Sequence, residues 1–212
     1  MSLNIEVESL KLAVADPDMQ SLINNFGLPM QRQRQPGFAA LINILISQQI
    51  SLQAADAIWQ KLNTMGAISP ENIICLGHQG LRGVGLSQSK SNWSVQLSEK
   101  FLNEEFIPTL LDEMDDAAAS RYIMQLNGFG EWSSAIYLMF CLERTNIWPA
   151  GDIALQEAVR HLKKLSIRPN TKEMQEIGIL WTPHRSTAAH LLWHYYAKAI
   201  RVQKSPINIG FQ

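Results

Sequence analysis

Two stretches place a Gly-apolar-Gly step ahead of helix-like sequence: "LRGVGLSQSK", Leu81 to Lys90, and "QLNGFGEWSSAIYLMF", Gln125 to Phe140. A hairpin of this kind aims successive backbone N–H groups past the N-terminus of the next helix, an arrangement suited to holding an anion such as phosphate. Glycine serves there because the backbone takes positive φ or lets a ligand come very close. Taken alone, either pair reads equally as a simple chain turn. The polar centre of "FAALINILISQQISLQAADAIWQKL", Ser47 to Ser51, is a second candidate: either a turn between two core helices or a loop pushed toward a ligand. His190 and His194 stand four apart on a predicted helix, the spacing of a zinc pair. No Glu follows His190 and no third ligand is visible, so the reading is structural and no metal is expected.

These residues must be positioned by helices. Apolar residues recur at helical spacing throughout, as in Phe38, Leu41, Ile42, Leu45 and Ile46, and no alternating strand pattern competes. Breakers at Gly27 to Pro29, Pro36–Gly37, Ser69–Pro70, Gly83 to Gly85, Gly128 to Gly130 and Pro149 to Gly151 divide the chain into about ten short helices, an all-α protein without repeats. With 212 residues, 46% of them hydrophobic, it can fill one large core or two small lobes. The two cysteines, Cys75 and Cys141, support neither a disulfide framework nor a four-cysteine metal site, which fits a reducing compartment. Glu6 and Glu8 near the N-terminus oppose a signal peptide, and no run reaches membrane-spanning length, so no membrane association is expected. A net charge of −1 argues mildly against nucleic acid, although a footprint of backbone amides does not require a basic domain.

The second hairpin, "YIMQLNGFGEWSSAIYLMF", is followed about twenty residues later by "IWPAGDIALQEAV". This combination resembles the helix-hairpin-helix DNA glycosylase superfamily (HhH-GPD), within it the 3-methyladenine DNA glycosylase II branch. "ILISQQISLQAA", "LRGVGLSQSK" and "LWTPHRSTAAHLLWHYY" match that branch in order. The resemblance implies a two-lobed all-helical fold with a central cleft and no N-terminal β domain. The lobes would be residues 37–147, a helical barrel with the hairpin, and 1–36 with 148–212. It implies a monomer acting on double-stranded DNA that contains alkylated bases, in the cytoplasm of a bacterium or the nucleus of a eukaryote.

The resemblance also assigns roles. Asp152 is the catalytic carboxylate, stabilising the cationic sugar formed when the bond to the base breaks. By residue type alone it reads as the N-cap of "IALQEAVRHL". Trp132 and Trp193 are base-pocket aromatics whose electron-rich faces favour a cationic alkylpurine, whereas Trp59, Trp93 and Trp181 are expected in the core. Gln49 holds the wedge position that fills the gap left by a flipped nucleotide, with Gln48 beside it lining the cleft. Gly128 and Gly130, helped by Gly83, Gly85 and Lys90, would hold phosphates, and Arg185 matches a family Arg that either contacts DNA or makes a structural ion pair. Bifunctional relatives carry a Lys two residues after the second hairpin glycine; here Trp132 stands there, and no iron–sulfur cysteine cluster follows. The expected activity is therefore monofunctional, without abasic-site lyase chemistry. No cofactor is expected beyond a monovalent cation at the hairpin. The family's Tyr four residues after the hairpin Trp is Ile136, which leaves the lesion range open. A binding module without chemistry and a glycosylase for another damaged base are the alternatives.

Overall fold

A computed structural model describes residues 4–201, and among them every regular element is helical. The chain forms two compact units, Met1–Arg32 with Glu143–Gln212, and Gln33–Leu142. Their seams fall a few residues before the boundaries expected from sequence, 37 and 147.

The first unit contains α1 (Ile5–Ala15), α2 (Pro17–Phe26), α9 (Ile153–Leu162), α10 (Thr171–Gly178) and α11 (Arg185–Tyr195). Asp16 closes α1 and caps α2, accepting from the Asp18 and Met19 amides, while Pro17 opens the helix where no N–H is needed. Its other oxygen accepts from Trp181 Nε1 at 2.7 Å, which ties the α1–α2 corner to the buried indole before α11. α9, α1 and α2 all pack on α11. Ala188 and Ala189 on α11 are fully buried, and such small side chains allow close helix approach.

The second unit runs through α3 (Phe38–Ser47), α4 (Leu52–Thr64), α5 (Pro70–Gly83), α6 (Gln88–Leu102), a 3₁₀ turn at Pro108–Glu113, α7 (Asp116–Ile123) and α8 (Glu131–Phe140). α3 is apolar on nearly all sides, and a helix of that kind belongs inside the protein. Leu41, Ile42, Ile44, Leu45 and Ile46 are each at most 1% exposed. α4, α6 and α8 surround it. At its start the Gly37 amide donates to the Tyr137 hydroxyl of α8 at 2.8 Å. At its end the chain turns through Gln48 to Ile50, and Ser51 caps α4 by accepting the Ala54 amide.

Candidate active site

In the first unit, the "IWPAGD" loop is fixed from several directions before it presents Asp152. The Ile147 amide donates to Ser186 Oγ at 3.0 Å, and the Ser186 hydroxyl donates to the Arg144 carbonyl at 2.6 Å. Trp148 Nε1 donates to the Met174 carbonyl at 2.7 Å. A Cβ on Gly178 would lie 2.6 Å from that nitrogen, so glycine there leaves room for the indole. One turn into α9, buried Gln156 donates to the Ala150 carbonyl at 2.9 Å.

Asp152 ends this loop as the N-cap of α9, half-exposed, its Oδ1 accepting the Leu155 amide at 2.8 Å. The same oxygen accepts Trp193 Nε1 at 3.0 Å. The capping role read from residue type is thus present, and it also orients the carboxylate at the positive end of a helix. Trp193 is half-exposed on α11, and the His190 ring meets it edge-on at 6.0 Å and 84°. Burial, with a smaller contribution from Arg32, pushes His190 down to about 4, so its imidazole is neutral at neutral pH. The expected histidine pair is split between two settings: His190 is buried, and His194 Nε2 lies 3.0 Å from the Phe26 carbonyl. No group of three or more His, Cys, Asp or Glu is placed to hold a metal among the described residues.

Arg185 was open between DNA and a structural partner. Its Nε donates to Asn146 Oδ1 at 2.8 Å and its Nη2 to the Asn146 carbonyl at 2.7 Å. The guanidinium fork braces the start of the Asp152 loop.

In the second unit, the two Gly-apolar-Gly pairs differ in kind. Gly83 closes α5, and Gly85, at φ 112°, ends a C-terminal turn in which the Gly85 and Leu86 amides donate to Arg82 and Leu81 carbonyls. Ser87 then caps α6 with its own side chain. Of the two glycines expected to offer amides to phosphate, Gly85 thus has its amide turned back onto α5, and a serine side chain serves the next helix. At Gly128 and Gly130 neither amide has an intrachain acceptor among the described residues, and Gly130 gives α8 no side-chain cap. Gly128 has φ 85°, and a Cβ there would stand 2.4 Å from Trp93 Cε3. Gly130 is exposed, and a Cβ there would meet nothing within 4 Å. Exposed Glu131 in the first turn of α8 is the acidic group that an anion at this end would meet.

Gln48 was expected to line a cleft. Both protons of its Nε2 are committed, one to the Gly128 carbonyl at 2.8 Å and one to Ser133 Oγ at 2.9 Å. A monovalent cation at this hairpin would have main-chain carbonyls for ligands, and the Gly128 oxygen already accepts from Gln48. Gln49 is exposed, with φ 58° in the left-handed region. Lys90 was expected beside phosphates. Two of the three protons on its Nζ are given within the unit, to the carbonyls of Ile46 at 2.7 Å and Gln48 at 2.6 Å. Trp132 is half-exposed on the first turn of α8, so the two expected pocket tryptophans come from different units. Trp181 is buried as expected, whereas Trp59 and Trp93 are only half-buried. Ser133, Gln156 and Ser186 went unmarked in the sequence, and Trp93 was expected only as a core residue. Only tertiary neighbours reveal that they hold the hairpin and the Asp152 loop.

Residues 42–183, which include both the hairpin and Asp152, match the family described as HhH-GPD superfamily base excision DNA repair protein. The chain belongs to that superfamily. Like this HhH-GPD chain in sequence is DNA-3-methyladenine glycosylase 1 of Schizosaccharomyces pombe, 24% identical over 86% of this chain and 85% of that protein. The structure of the S. pombe 3-methyladenine DNA glycosylase Mag1 in complex with abasic DNA superposes with a TM-score of 0.82 at 22% identity, over 91% of this chain and 97% of that one. The Clostridium acetobutylicum 8-oxoguanine glycosylase/lyase bound to double-stranded DNA superposes at 0.80 with 12% identity, over 96% of this chain and 72% of that one. At such identities these likenesses establish the HhH-GPD fold, which both chemistries share.

Proposed function

We propose that the chain is a monofunctional DNA glycosylase that hydrolyses the N-glycosidic bond of alkylated purines in double-stranded DNA, acting as a monomer in base excision repair. The observation that carries this reading is the Asp152 carboxylate, held at the start of α9 by the Leu155 amide and Trp193 Nε1. A DNA-binding module without chemistry would need Asp152 only as a helix cap, and the second donor, Trp193 Nε1, supports a further role for the carboxylate. The S. pombe relative's name supports the alkylated-purine class.

In this reading the damaged nucleotide leaves the stack before its bond is reached. Gln49 fills the vacated space, and the amides of Gly128 and Gly130 hold the backbone without reading sequence. As the bond between sugar and base breaks, the base departs with the bonding electrons and positive charge develops on the sugar. Asp152 stabilises that charge, water bonds to the anomeric carbon, and its proton passes to solvent. A purine nucleoside alkylated at N3 or N7 is already cationic, so Trp132 favours it over neutral bases through its ring face. A monovalent cation at the hairpin would be held by main-chain carbonyls, and no step depends on one. The compartment is the cytosol, or the nucleus in a eukaryote.

Trp132 supports the monofunctional reading, because an indole cannot form the imine through which an amine nucleophile eliminates the strand. The test incubates the protein with duplexes carrying 3-methyladenine, 7-methylguanine, ethenoadenine or uracil, with borohydride present. Free alkylpurine with intact strands and no protein–DNA adduct is the expected result. An adduct forming at the rate of base release would overturn the monofunctional reading, and release of uracil alone would overturn the substrate class.

A further inference from the structure

The turn that carries Gln49 is supported by a side chain that the proposed chemistry does not touch. Lys90 Nζ bonds the Ile46 and Gln48 carbonyls at 2.7 and 2.6 Å. These oxygens lie at the end of α3, where helix carbonyls lack intrahelical partners and the dipole is negative. Lys90 begins one face of α6 that serves both parts of the DNA-directed surface. Three residues on, Trp93 packs against Gly128, and three further on, Gln96 accepts from Asn127 Nδ2 at 2.9 Å. Gln48 links the same two parts directly through Gly128 and Ser133. Between these anchors Gln49 is held at φ 58°, a conformation unfavourable for a non-glycine residue that persists where neighbours impose it. The desolvated ammonium is correspondingly held below the usual lysine range by burial.

We propose that Lys90 is a positioning residue for nucleotide flipping: it pins the Ile46–Gln48 carbonyls so that Gln49 is presented in register with the Gly128–Gly130 hairpin. This rests on the glycosylase reading above. The ammonium contributes nothing to the bond-breaking step. It keeps the wedge from relaxing out of its left-handed posture while the hairpin grips the backbone.

The distinguishing experiment compares single-turnover release of 7-methylguanine from two duplexes, one with cytosine opposite the lesion and one with a tetrahydrofuran abasic analogue opposite. The second presents no partner base and so demands little of a wedge. Loss of two charge-assisted hydrogen bonds in Lys90→Met should slow release from the paired duplex about tenfold or more, and from the unpaired duplex less than about threefold. Gln49→Ala should show the same split, and adding Lys90→Met to it should slow the paired duplex no further. Lys90→Arg, which can still donate to both carbonyls, should recover most of the rate. Equal losses on the two duplexes, additive effects with Gln49→Ala, or a Lys90→Met chain that lacks helical circular dichroism would each overturn the proposal. A wild-type chain that releases base from neither duplex would instead fail the glycosylase reading, and this inference with it.

Discussion

Trp193 Nε1 donates to Asp152 Oδ1 at 3.0 Å, on the oxygen that also accepts the Leu155 amide at 2.8 Å. Two donors on one oxygen leave the carboxylate little rotational freedom, and both are fixed by helices of the same unit. The indole is therefore a positioning group for Asp152 as well as an aromatic surface.

Trp193→Phe separates these roles, since it keeps an aromatic ring and deletes the N–H. Removing one hydrogen bond to a charged group should slow single-turnover base release about tenfold, with lesion-duplex affinity nearly unchanged. A residue that only stacks on the base would lose affinity and keep its rate at saturating enzyme.

The two hairpin glycines should respond oppositely. Gly128→Ala places a Cβ 2.4 Å from Trp93 at φ 85°, and strain with overpacking should lower unfolding free energy by about 2–4 kcal/mol in urea titration. Gly130→Ala meets nothing and should stay within about 0.5 kcal/mol of wild type. Gly130→Arg should fold and yet bind every duplex more weakly, about tenfold, as blocked phosphate contacts would dictate. Unchanged binding would make the turn purely structural.

His190 carries a pH signature. Its folded value, about 4, lies below its ordinary 6.5, so the unfolded chain binds a proton that the buried ring does not. The stability this group contributes is present above pH 6.5 and lost as pH falls through that window toward 4. The unfolding free energy should decline there with a slope approaching 1.4 kcal/mol per pH unit, roughly the limit for one proton. His190→Gln should flatten that part of the profile, and an unaltered slope would assign it to other groups.

Much of this was legible in sequence because it is local. Asp152 one residue before an apolar-periodic helix announces a cap, and Gly128 needs its positive φ for the turn. The difference between the two Gly-apolar-Gly pairs was also within reach. Ser87 stands two residues after Gly85, a capping residue for α6, and nothing comparable follows Gly130. What could not be read were long-range partners. Lys90 lies 42 residues from Gln48, and Gln48 lies 80 from Gly128, so residue type suggested charge and polarity facing DNA where packing also gave both side chains partners within the unit. Arg185 fell to Asn146 for the same reason.

The central claim, that Asp152 provides the charge for base excision, is tested most directly by Asp152→Asn. Asparagine caps helices as well as aspartate does, and its oxygen can still accept from Leu155 and Trp193, so the fold and the loop should be retained. Single-turnover release of 3-methyladenine and 7-methylguanine should fall by about a hundredfold or more, with affinity for the same duplexes largely preserved. Release by the variant at rates near wild type would contradict the account.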